Sequence, residues 1–111
     1  MNTAKSLVKR GYPVGAALWV MWLALASAPV FAADVTAGAT LYQRHCEGCH
    51  GASGRGDFPG MPDFSRGEGL FKPNVTLISA IKAGKVAMPA FEGLLTDDQI
   101  LDIIAYLRTL R

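Results

Sequence analysis

Cysteine occurs only twice in this sequence, at Cys46 and Cys49, and the residue after the second is His50. On a helical turn, side chains three and four positions apart share a face, about 5–6 Å from each other at Cβ. Two thiols and an imidazole are therefore directed at one object. Any fold open to this chain must leave space beside that turn.

Three familiar uses of a cysteine pair leave part of the pattern unexplained. A disulfide needs no histidine at the next position. A thioredoxin-like redox pair wants a βαβ pattern around it, and no strand pattern stands out. Half of a zinc site wants a second ligand pair, and His45 and His50 are the only histidines. The use that employs the whole of Cys46-Glu47-Gly48-Cys49-His50 is the C-x-x-C-H attachment of a c-type haem. Each thiol would bind a vinyl carbon as a thioether, and His50 would turn a ring nitrogen to the iron.

Lys5, Lys9 and Arg10 precede an apolar stretch free of charge from Val14 to Ala32, which ends in Pro29 and Val30-Phe31-Ala32. This reads as a secretory signal peptide over residues 1–32, cleaved after Ala32, with a single domain over 33–111 exported to the periplasm. The alternative is an uncleaved membrane anchor, because about 20 apolar residues suffice to span a bilayer. The whole chain has 11 Lys plus Arg against 9 Asp plus Glu. With three basic residues in the leader, the remainder is nearly balanced, which excludes a nucleic-acid-binding surface. At roughly 80 residues, the domain is small enough that a cofactor or staple is needed to complete its interior. Trp19 and Trp22 both fall in the leader.

The spacing predicts three main helices and long loops, an all-α class. The first starts at Thr36 as N-cap and runs into Cys46. The second follows Pro73-Asn74, carries Leu77, Ile78 and Ile81, and stops at Gly84. The third opens on Thr96-Asp97-Asp98-Gln99, a capping box, and continues to about Leu110 with Ile100, Ile103, Ile104 and Leu107 on one stripe. Between the first two lies GASGRGDFPGMPDFSRGEG, a loop by its glycines and prolines.

A haem iron held by His50 wants a second axial ligand, and the candidates are His45, Met61 and Met88. His45 adjoins the attachment turn and cannot reach the opposite face, so packing or solvent is its role. Met61 sits in the glycine-rich loop close after His50. Met88 lies beyond a whole helix able to carry the chain across, and Pro89 stiffens the backbone after it. Met88 is the expected ligand, with Met61 the alternative.

With these residues assembled, the chain over 33–111 resembles the class I cytochromes c, especially the small monohaem electron carriers of bacteria and algae. Besides CEGCH, the resemblance rests on Gly38 and Tyr42 before Cys46, Ile103 and Tyr106 in IIAYL, and the segment GKVAMPAF. It implies a small fold of three main helices around one covalently attached haem c. Gly38 is then expected against the terminal helix near Ile103 and Tyr106. The carbonyl of Pro62 is expected to accept a hydrogen bond from His50, which orients the ring. Many relatives hold a haem propionate with a Trp, which this domain lacks, and Arg66 and Lys72 are candidates by charge alone.

The function so implied is electron transport between periplasmic redox partners by Fe(III)/Fe(II) cycling of a His/Met-ligated haem, and not enzymatic catalysis. The donor and acceptor would be redox proteins, with Lys72, Lys82 and Lys85 either meeting an acidic partner or serving as solubilising charge. The chain would act as a monomer or as a subunit of a respiratory enzyme, with no membrane span once the leader is removed. A peroxidase-like or gas-binding haem would instead require Met88 to be labile.

Overall fold

A computed structural model describes residues 32–111; the leader expected over 1–32 lies, but for its last residue, outside them. Among the described residues, four α-helices and one 3-10 turn follow in the order α1 (Val35–His45), α2 (Glu47–His50), the 3-10 turn Phe64–Arg66, α3 (Asn74–Ala83) and α4 (Asp97–Leu107). The described residues hold no strand, only an isolated bridge between Lys85 and Met88. The expected all-α class is found. The three long helices are those the spacing predicts, and the attachment turn is a short helix of its own. None of the described helices is long and apolar enough to cross a membrane.

The N-cap of α1 is Asp34 and not Thr36. Oδ1 of Asp34 accepts from the N–H groups of Thr36 and Ala37, at 2.8 and 3.0 Å. A carboxylate satisfies two orphan donors and carries full negative charge toward the positive end of the helix, so it outcompetes a hydroxyl two residues later. At α4 the capping box forms as expected. Thr96 Oγ1 accepts from the Gln99 N–H at 3.2 Å, and the Gln99 side chain accepts from the Thr96 N–H at 2.9 Å. Helix α4 ends at Leu107, three residues early, because its last bonds tighten: Thr109 N–H turns to the Tyr106 carbonyl and Leu110 N–H to that of Leu107.

Helices α1 and α4 form the main packing contact, and α3 leans on α4. A Cβ at Gly38 would overlap the Asp102 carbonyl and stand 3.0 Å from the Ile103 nitrogen, so the two backbones approach as closely as a bare glycine allows. One turn further along α1, the Tyr42 ring lies 5.4 Å from that of Tyr106. Gly38 thus lies against the terminal helix at Ile103, as expected, while Tyr106 meets Tyr42. The core consists of Tyr42, Leu70, Phe91, Leu95, Ile100, Ile103, Ile104 and Leu107, all buried. Each such side chain contributes about 1.5–3 kcal/mol on leaving water.

Helix α3 buries no residue completely, but Leu77, Ile78 and Ile81 pack against the core from its side. It stops where expected, at Gly84, whose φ of 70° favours a residue without Cβ. Arg108 fastens the loop before α3: its guanidinium donates to the carbonyls of Leu70 at 3.3 Å and Lys72 at 3.4 Å.

Candidate functional site

The attachment turn is built by a break in helical geometry at Cys46, where φ is −121° and ψ is −36°. Its N–H still donates to the Tyr42 carbonyl at 2.8 Å, ending α1, while its own carbonyl accepts from Cys49 and His50 at 3.1 and 2.9 Å, starting α2. One residue thus closes one helix and opens the next. Cys46 is half-buried and packs on the core, Cys49 is exposed, and His50 is half-buried. Gly51, with φ of 78°, turns the chain away into the long loop.

The chemistry of these groups separates the competing readings. Burial, reinforced by the charge of Cys49, pushes the Cys46 thiol up to about 11. A redox-exchange cysteine needs the opposite, a thiolate stabilised near neutral pH. Among the described residues no three of His, Cys, Asp and Glu converge as a bare metal site. Burial holds the His50 imidazole below its ordinary value, so it is neutral at pH 7 with a lone pair available for a metal.

His50 Nδ1 is buried and has no hydrogen-bond partner. The bond expected from His50 to the Pro62 carbonyl is therefore not made in this structure. The ring lies instead against Phe64, centroids 4.9 Å apart and planes inclined by 30°. A buried polar atom without a partner costs about 1–3 kcal/mol, so this ring nitrogen is left unsatisfied where the ring stands. Two thiols and a neutral imidazole on one turn are a donor set that fits a covalently attached haem.

Met88 lies in the tight turn after α3, where Lys85 N–H donates to the Met88 carbonyl at 3.1 Å and Met88 N–H to that of Lys85 at 2.9 Å. A Cβ on Gly84 would lie 2.7 Å from the Met88 carbonyl oxygen, so this segment too depends on a glycine. Met88 and Cys46 both pack against the same core, and Met61 is not among the side chains that do. His45 stacks edge-on with Phe91 at 6.2 Å, a packing role as expected. A surface cavity of about 640 Å³ between α3 and α4 is lined by none of Cys46, Cys49, His50, Pro62 and Met88.

Several connections escaped the sequence pattern. The Tyr42 hydroxyl donates to the Gly51 carbonyl at 2.7 Å. Lys82, a candidate docking charge, is ion-paired with Asp97 at 2.8 Å and Glu92 at 3.4 Å, so it braces α3 against α4. Lys72, Lys85 and Arg66 are exposed. A side-chain bond across such sequence distances has no local signature.

Comparison with known proteins agrees with this geometry. The family model described as cytochrome C oxidase, cbb3-type, subunit III matches residues 33–107. Cytochrome c6 of Nostoc sp. is 33% identical over 84 residues, covering 72% of this chain and 74% of the relative. Cytochrome c6 of Leptolyngbya boryana is 35% identical over 77 residues, covering 67% and 89%. That of Gracilaria tenuistipitata is 38% identical over 81 residues, covering 68% and 72%. Helical fold, attachment turn and relatives converge, and the chain belongs to the class I cytochrome c family.

Proposed function

We propose that this chain is a monohaem electron-transfer protein in which Cys46 and Cys49 hold haem c as thioethers and His50 and Met88 are its axial ligands. Haem c, when bound, supplies one-electron cycling between Fe(III) and Fe(II), with no bond made or broken in a substrate. The observation that carries the reading is the attachment turn, which holds both thiols and a neutral imidazole together. Pro62 is the proposed acceptor for that nitrogen in the holoprotein, and the Met88 thioether favours the reduced state relative to a second imidazole. The packed body of α1 and α4 keeps the ligands in place in both oxidation states, which keeps reorganisation small.

The leader is proposed to direct export to the periplasm, with cleavage after Ala32; N-terminal sequencing of the exported protein should begin at Ala33. The purified protein should show haem that resists acid-acetone extraction, a low-spin reduced spectrum and the weak far-red band of ferric iron bound to methionine. Met88→Ala should abolish that band and Met61→Ala should leave it. Ready carbon monoxide binding to the ferrous protein at neutral pH would contradict a closed carrier, and colourless material with Cys46 joined to Cys49 would sink the reading.

A second reading has its own support in the matched family description, which names an oxidase subunit. In it the same haem chemistry serves a larger respiratory enzyme. Migration of the native protein as a stable complex with a haem-copper oxidase would favour the subunit, and migration as a monomer the diffusible shuttle.

A further inference from the structure

We infer that Tyr42 is a positioning residue for His50: its buried hydroxyl, by holding the Gly51 carbonyl, ties the end of the attachment turn to the helical body and so sets the orientation of the imidazole. This rests on the proposed role of His50 as iron ligand.

Tyr42 is 1% exposed, and its ring packs within the core and against Tyr106. A phenylalanine would fill that volume equally well, so packing does not explain the hydroxyl. Its bond to the Gly51 carbonyl, at 2.7 Å, has the length expected of a good O–H···O contact. The acceptor belongs to the residue immediately after His50, where the chain leaves α2 with a positive φ.

The backbone bonds of Gly51 and its nearest neighbours are short in range. Gly51 N–H donates to Glu47 at 2.8 Å, Gly54 N–H to Gly51 at 3.1 Å and Gly56 N–H to His50 at 2.9 Å. They knit the turn and the start of the loop into one unit; its backbone ties beyond itself run from Cys46 N–H to the Tyr42 carbonyl at 2.8 Å, before the turn, and from Phe64 N–H to the Gly54 carbonyl at 2.7 Å, after it, so neither fixes Gly51 itself. Among the described residues, Tyr42 makes the only hydrogen bond from a side chain of α1, α3 or α4 into residues 51–63. Loop glycines leave the backbone free to pivot. The phenol removes that freedom at the residue where a pivot would swing His50.

The test uses Tyr42→Phe in the full holoprotein, with Tyr106→Phe as the control that removes a neighbouring hydroxyl. Amide hydrogen exchange at Gly54 and Gly56 should accelerate about tenfold in Tyr42→Phe, relative to amides of α4, as expected for loss of one buried hydrogen bond. The electron paramagnetic resonance g-values of the ferric protein, which report the orientation of the axial imidazole, should shift. Tyr106→Phe should change neither. Unchanged exchange in Tyr42→Phe overturns the tether. Accelerated exchange with unchanged g-values overturns the step from tether to imidazole. Should Tyr42→Phe fail to accumulate, 3-fluorotyrosine at position 42, which keeps the hydroxyl but alters its donor strength, must shift the g-values for the inference to stand. If His50→Ala retains the wild-type low-spin spectrum, the ligand assignment fails on its own, independently of the exchange result.

Discussion

The backbone N–H of Asp34 donates to Oδ1 of Asp102 at 2.7 Å, joining residues 68 positions apart. The same Asp34 caps α1 with its side chain, so the start of the first helix is set on the middle of the last. Asp102→Ala should remove this link and lower stability by about 1 kcal/mol in urea denaturation, since the pair is exposed to solvent. Asp102→Asn, which retains a carbonyl acceptor, should recover most of the loss.

Gly38→Ala tests the adjoining contact. Alanine is the better helix former by about 1 kcal/mol. Here its methyl group would overlap the Asp102 carbonyl, and neither backbone can yield without separating α1 from α4. The overpacking should win by about 2–3 kcal/mol. A thermal melt of the holoprotein should show a midpoint lower by roughly 10 °C.

Val86 stands at φ 54° with a fully exposed side chain, two residues before Met88. A β-branched residue gains nothing there and suffers the left-handed conformation that asparagine tolerates. Val86→Asn should raise stability by about 0.5–1 kcal/mol. Chemical denaturation measures the gain, and an unchanged far-red band would show that Met88 has kept its place.

Burial pushes the Tyr42 phenol up to about 12, from an ordinary 10.0. The unfolded chain thus gives up this proton at lower pH than the native protein. The phenol's contribution to stability is whole below pH 10 and is lost as pH climbs from 10 toward 12. Alkaline unfolding curves should fall in that window for the wild type. Tyr42→Phe should begin less stable and fall less steeply there.

Helix boundaries show how far local chemistry reaches. Thr96 and Gln99 form their box because both partners lie within one turn, and Gly84 ends α3 by a preference of its own backbone. Asp34, not Thr36, caps α1: two good caps stand close together, and the bond from the Asp34 N–H to Asp102 helps to seat the earlier one. Lys82, by sequence a docking or a solubilising charge, meets Asp97 at 2.8 Å only because α3 and α4 pack together.

The sequence by itself determined the chemistry: Cys46, Cys49 and His50 share a helical turn because their spacing permits little else, and helix ends and the Ile100–Leu107 stripe follow from nearest neighbours. Tertiary structure alone decided which distant groups meet: Asp34 with Asp102, Tyr42 with Gly51, Arg108 with Leu70. Those meetings depend on how α1 and α4 cross at Gly38, and contacts of that range are settled by packing of the whole core, which no local pattern encodes.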